Sequence, residues 1–287
     1  MTSDSEEARP GLVPGARRPA GTMFAALYGE LAPHPWRHLD SAHDAYSWFH
    51  QRSLAMGWLD DGATVVRKAA GGTREMRSGT AGLWSMNDAG QDHPLADPGA
   101  SLVAWFQVGV EPVSGNRPLP AQPFLRCAAD AAERIGTLRL RAVQMLLPVQ
   151  SLDTSSRPES ARMPSLLTAG WFGDGDPRAR APVRVTLDSG QARSIPSMAP
   201  RMRERMSRLD QNAFVCESYS LADLDPLAMR PPFDASFWNG PPLHRATFSG
   251  TLAEWSPDAL GWLGGFLADL SARHGVTTPL LLTAIRL

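Results

Sequence analysis

The chain has 287 residues, 43% of them hydrophobic and 20% charged, with a formal net charge of -1. That is enough apolar residue for a real core, in one large domain or two small ones. The near-neutral balance excludes the broad basic field that nucleic acid or an anionic membrane surface demands.

Lys68 is the single lysine among 28 basic residues. GC-rich coding accounts for that bias, so it says nothing about phosphate recognition. Cys127 and Cys216 are too few for a disulfide framework and lack metal-ligand spacing, so they are expected as buried free thiols. Residues 1–20, acidic and then rich in Pro, Gly and Arg, are expected as a flexible tail, with no apolar run of the signal-peptide kind. No uncharged apolar stretch reaches the ~18 residues of a membrane span. The expected compartment is therefore cytoplasmic, with no nucleic-acid or membrane partner.

"GTMFAALYGEL" (21–31) is rich in helix formers and predicts a short helix ended by Pro33 and Pro35. "SAHDAYSWFHQRSLAMG" (41–57) predicts another, with Ser41 as N-cap, Asp44 three residues on and Gly57 as its stop. "TVVRKA" (64–69) and "GLWSM" (82–86) predict short strands, followed by a Gly, Asp, Asn and Pro loop to residue 99. "SLVAWFQVGVEP" (101–112), "AQPFLRCAADAAERIG" (121–136) and "TLRLRAVQMLLPV" (137–149) spell strand, helix, strand. A surface loop over 149–164 leads to two expected strands, "SLLTAGWFG" (165–173) and "PVRVTLDSG" (182–190). "MAPRMRERMSRLDQ" (198–211) predicts a helix and "AFVCESY" (213–219) a strand.

The closing stretch has the clearest signals. "HRATFSGTLAEW" (244–255) alternates as a strand. The helix "SPDALGWLGGFLADLSARHG" (256–275) has Ser256 at N-cap, Pro257 at N1, Gly275 past its end and an apolar stripe through Leu260, Leu263, Leu267 and Leu270. "TPLLLTAIRL" (278–287) closes as a strand. The grammar predicts an α+β fold: a mixed, largely antiparallel sheet with ferredoxin-like split βαβ units and helices on one face. "AERIG-TLRL" and "SARHG-VTTPLL" both run from a glycine-stopped helix into an apolar strand, which suggests internal duplication of a strand-helix-strand unit. The expected organisation is a tail (1–20), an N-terminal region of helix and short strands (21–99) and an α+β sheet domain (100–287).

No motif names a reaction. Four of the seven histidines, His34, His38, His43 and His50, lie with Asp40 and Asp44 in "HPWRHLDSAHDAYSWFH". His43 and His50 share a helix face but stand about 10 Å apart along the axis, too far to share one ion. These histidines are expected on an amphipathic surface helix, and no metal or cofactor is expected. Met198, Met202, Met206 and Leu209 recur at helical spacing among Arg201, Arg203, Arg205 and Arg208. They fit an adaptable pocket or an anion clamp, but a core stripe with a solvated basic face is the simpler account. "GWFGDGDPRAR" (170–180) lacks the calcium-loop and phosphate-loop spacings and is expected as turns.

"PPFDASFWNGPPLHRATFSG" (231–250) loads a loop with aromatics beside three kinds of polar group. Either it closes one end of the sheet by packing, or it borders a small-molecule pocket. On the second account His244 or His93 serves as general base, with Asp234 or Asp97 orienting it. Arg245 would hold an anionic group, and Trp238, Phe237 and Phe233 would form the walls. The function this suggests is a cofactor-independent enzyme of specialised metabolism, of lyase, isomerase or cyclase type, working by acid-base catalysis on a small-molecule substrate. The alternatives are a non-catalytic binding or assembly protein, with its Trp- and Pro-rich surface facing a homodimer or other partner, and a metal- or haem-dependent oxidoreductase using the N-terminal histidines.

Overall fold

The structure is a computed structural model that describes residues 21–37, 44–60, 64–69, 72–77, 83–91, 101–153, 161–221 and 229–287. Its strands are β1 (Gly21–Pro33), β2 (Thr64–Ala69), β3 (Gly72–Arg77), β4 (Trp84–Gly90), β5 (Leu102–Val110), β6 (Gly136–Leu147), β7 (Ala181–Asp188), β8 (Phe214–Ser220), β9 (Arg245–Leu252) and β10 (Leu280–Arg286). Its α-helices are α1 (Ala45–Ala55), α2 (Ala121–Glu133), α3 (Ser194–Arg208) and α4 (Pro257–Arg273). Eight strands form one antiparallel sheet in the order β4-β5-β1-β6-β10-β7-β9-β8, and β2 and β3 form a separate hairpin. The fold is mixed α+β.

The connections follow one rule. Strands β5 and β6, joined through α2, both run antiparallel to β1, which lies between them. Strands β9 and β10, joined through α4, flank β7 in the same way. Strands β7 and β8, joined through α3, flank β9. The two halves of the sheet meet where β6 pairs with β10, Leu146 opposite Leu281 and Gln144 opposite Thr283. Residues on both sides of the expected boundary near residue 100 therefore pair in one sheet, because β1 and β4 belong to it.

β1 corrects the helix expected over 21–31. It sits at the middle of its half of the sheet, and Met23 to Tyr28 are all buried. A strand covered on both faces loses the alternation that marks a strand, and its Ala, Leu and Met then read as helical. The expected strand over 165–173 is corrected as well. That stretch forms two 3-10 turns, Pro164–Leu167 and Ala169–Phe172, with glycines at 170 and 173 breaking any extended run.

The main core lies on the helical face. It joins Met23, Ala25 and Leu27 of β1 to Phe49 of α1, Phe124 of α2, Met202 of α3 and Phe266 of α4. The methionine stripe of α3 is thus core: Met202 and Met206 are buried and Met198 half-buried. Helix α4 is buried on every side, from Ala259 to Ala272. Its start is fixed by the Ser256 hydroxyl, which accepts from the Ala259 N–H at 3.1 Å, with Pro257 in the first turn. The turns at 164–172 cover its outer side. The Ser165 N–H donates to Asp269 (3.0 Å), the Trp262 indole donates to the Ser165 carbonyl (2.8 Å), and Phe172 meets the Trp262 ring. This cover lets α4 be buried all round rather than along one stripe, with Asp269 accepting from the Ser165 N–H.

The other sheet face carries a smaller cluster of Phe24, Ala26, Tyr28, Trp105, Ala142, Leu146 and Leu281, roofed by Phe233 and Trp238. A polar network ties this roof down. The Tyr28 hydroxyl donates to Gln144 Oε1 (2.9 Å), and Gln144 Nε2 donates to the Met229 carbonyl (3.0 Å) and to Thr283 Oγ1 (3.2 Å). Burial pushes the Tyr28 phenol well above its ordinary value, so it stays a neutral donor.

Candidate functional site

Within 231–250, residues 245–250 belong to β9, and Phe233 and Trp238 pack as a roof. Phe233 is 3% exposed and tilts against Phe24 at 4.6 Å between ring centroids, while Trp238 is 8% exposed in the same cluster. Asp234 caps the 3-10 turn Ala235–Phe237 through the Ser236 N–H at 2.8 Å. That bond holds its exposed carboxylate below the ordinary range. No hydrogen bond or ion pair joins Asp234 to His244 among the described residues. His93 and Asp97 lie outside the described residues, as do His38, Asp40, Ser41, His43, the side chain of Phe237 and the tail 1–20.

His244 and Arg245 meet an aspartate that the sequence reading passed over. Asp188 ends β7 opposite Arg245 and is 3% exposed. Its Oδ1 accepts from the Gly190 N–H (2.7 Å) and the Leu243 N–H (3.2 Å), and its Oδ2 lies 3.5 Å from Arg245 Nε. Burial raises the Asp188 pKa, opposed by those two N–H groups and by the charges of Arg245 and His244. A register row runs from Phe24 through Leu146, Leu281 and Asp188 to Arg245, so the carboxylate borders the roofed cluster. Oδ1 alone pins the turn at 189–190 to residue 243 while Oδ2 faces Arg245, which is an anchoring role. The sequence signal for it was an aspartate closing an apolar strand before Ser-Gly.

Both cysteines are free thiols, Cys127 buried and Cys216, against expectation, only half-buried; desolvation raises both to about 11. Among the described residues no three His, Cys, Asp or Glu side chains converge as a metal site would need. No helix among them is long and apolar enough to cross a membrane.

An open cavity lies elsewhere, at the end of the sheet where β1 finishes and β6 begins. Past Pro33 the chain is held by the His34 N–H on the Ile135 carbonyl (3.2 Å), and a turn closes as the Arg37 N–H donates to the His34 carbonyl (3.0 Å). His34 Nε2 contacts the Glu133 carbonyl at 2.8 Å. A carbonyl only accepts, so Nε2 carries a proton and satisfies one of the orphan acceptors at the end of α2. The Trp36 ring stacks on His34, centroids 4.9 Å apart and planes 13° from parallel, and is 67% exposed.

Across the groove, Arg134 sits over the Trp48 ring of α1 at 5.9 Å. The floor is an ion-pair chain in which Arg52 (2.7 Å) and Arg126 (3.1 Å) share Asp130, and Arg126 also reaches Asp258 (3.0 Å). The groove encloses about 590 Å³. A second cavity of about 520 Å³ takes Pro33, Arg37 and Ile135 into its wall, so the turn at 34–37 contributes to both. Among the described residues, His34 is the one expected histidine that lines the groove. Trp36 and Trp48 lie in one stretch (34–50), but Arg134 comes from the end of α2, and only the fold brings the three together. Compared with known proteins, the chain matches no family model, no curated protein and no solved structure.

Proposed function

We propose that the protein binds a small organic molecule in the groove between the 34–37 turn, α1 and α2. The observation that carries this is Trp36: an indole held flat on His34 and left two-thirds exposed, at 67%, over a cavity of about 590 Å³. Leaving that much apolar surface in water forgoes burial energy, and a preformed planar face is what a planar ligand stacks on. The volume falls inside the roughly 300–1,000 Å³ of ordinary ligand sites. The test is an NMR titration with naphthalene-1-carboxamide, reading the indole Nε1–H resonances. Shifts at Trp36 and Trp48 in the wild type, with the Trp48 shift lost in Trp36→Ala, support the site; shifts confined to other tryptophans overturn it.

Catalysis on that ligand is a second reading, favoured by the Nε2–H bond that His34 makes to Glu133. An imidazole whose Nε2–H is committed to a carbonyl presents Nδ1 as a base. The acid-base enzyme expected from the sequence would then work here rather than at His244. His34→Gln, whose amide N–H reaches the place of Nε2 and can still donate to Glu133, should abolish turnover of a processed ligand and leave its binding intact. Equal loss of both returns the site to binding alone.

For the scaffold we propose two ferredoxin-like units related by duplication. Support comes from strand order: β1-α1-β4-β5-α2-β6 and β7-α3-β8-β9-α4-β10, leaving aside the β2–β3 hairpin, both read as strands 4-1-3-2 across the sheet.

A further inference from the structure

Resting on that binding reading, we infer that the ligand is a planar aromatic carboxylate. Three guanidinium groups line the groove, and two are committed: Arg52 and Arg126 share Asp130, and Arg126 also holds Asp258. Arg134 is different. It is exposed, its contact is the face of Trp48, and no carboxylate among the described residues lies within ion-pair distance. Its donors are therefore open to a ligand, and the planar fork matches a carboxylate in two parallel hydrogen bonds.

Trp36 supplies the other half of the recognition. Its free face asks for a flat apolar body, and the stack on His34 fixes the orientation of that face before anything binds. Glu133 also lines the groove, and Asp130 lies at its floor. Two carboxylates so near disfavour a dianion such as a phosphate monoester, which leaves a singly charged acid as the fitting class.

The experiment titrates the full chain with 1-naphthoate, 1-naphthamide and 1-naphthylmethylammonium, following the Trp36 and Trp48 indole resonances. Naphthoate should bind about tenfold tighter than the amide, the effect of one charge-assisted hydrogen-bonded pair. Arg134→Gln should remove that advantage and leave amide binding unchanged, while Trp36→Ala weakens all three probes. Both side chains are exposed, so unchanged far-UV circular dichroism is expected for each variant.

Equal affinity for naphthoate and the amide, or no effect of Arg134→Gln, overturns the carboxylate assignment and leaves the groove reading standing. Tightest binding of the ammonium overturns it in favour of Asp130 and Glu133. If none of the three probes perturbs Trp36 or Trp48, the groove reading itself falls.

Discussion

Gly261 of α4 and Gln122 of α2 meet backbone to backbone: a Cβ built on Gly261 would stand 2.5 Å from the Gln122 Cα and 2.7 Å from the Ala121 carbonyl oxygen. Neither obstacle is a flexible side chain, so the two helices would have to separate. Gly261→Ala gains about 1 kcal/mol of helix propensity. Overpacking of this kind costs about 1–3 kcal/mol and propagates through the core. We expect a net loss, read as a lower urea midpoint at unchanged m-value. A midpoint equal to or above wild type contradicts the close approach.

Phe233 tests whether 231–238 is roof or pocket wall. It is 3% exposed and set against Phe24. Phe233→Ala should cost about 3–5 kcal/mol, the range for an aromatic removed from a core. Leu243→Ala, at a side chain 52% exposed, should change stability by less than about 0.5 kcal/mol. Thermal denaturation of the pair distinguishes the two accounts, since a mere wall residue would be lost cheaply.

The Gln144 network makes a graded prediction. Tyr28→Phe removes one donor and strands Gln144 Oε1, at a cost of about 1 kcal/mol. Gln144→Leu strands the Tyr28 hydroxyl, the Met229 carbonyl and Thr283 together and should cost two to three times as much. Because Met229 leads into the roof, amide hydrogen exchange over 229–238 should accelerate in Gln144→Leu more than in Tyr28→Phe. Equal exchange in the two variants argues against the tie.

Asp188 gives a pH dependence with a definite sign. Burial is the largest influence on it and raises its folded-state pKa above the ordinary 3.8. The native state therefore holds this proton more tightly than the unfolded chain, and its contribution to stability declines as pH rises from about 3.8 through the folded value. Asp188→Asn retains an acceptor for the Gly190 and Leu243 N–H groups and carries no charge. The stability difference between wild type and Asp188→Asn should move in the variant's favour between acid and neutral pH. A difference moving the other way would show that Arg245 outweighs burial at this carboxyl.

Much of the fold was legible wherever one face alone is buried or a cap is spelled out. Ser256-Pro257 starts α4, and Gly275, at φ 82°, stops it as expected. Helix α2 and strands β5, β6, β7, β9 and β10 also lie where their residues placed them. β1 was not legible, because position in the sheet, which no local pattern records, covers it on both sides. The candidate site was legible only as a density of aromatics. In 231–250 that density serves packing, with Phe233 and Trp238 sealing the face opposite the helices. At 34–37 the telling feature was a tryptophan in a tight turn, which acquires meaning only when α1 and α2 bring Trp48 and Arg134 beside it.

The cover that the 164–172 turns lay over α4 has a consequence for biosynthesis. Ser165 and Trp262 are joined across 97 positions, so the turns emerge from the ribosome long before the helix they clothe. Until α4 arrives, Leu166 and Phe172 have no seat, and α4 once made has no water-compatible side of its own. Native pairing this distant is slow to assemble and exposes sticky surface meanwhile. A nascent chain halted before residue 257 should therefore be held by chaperones.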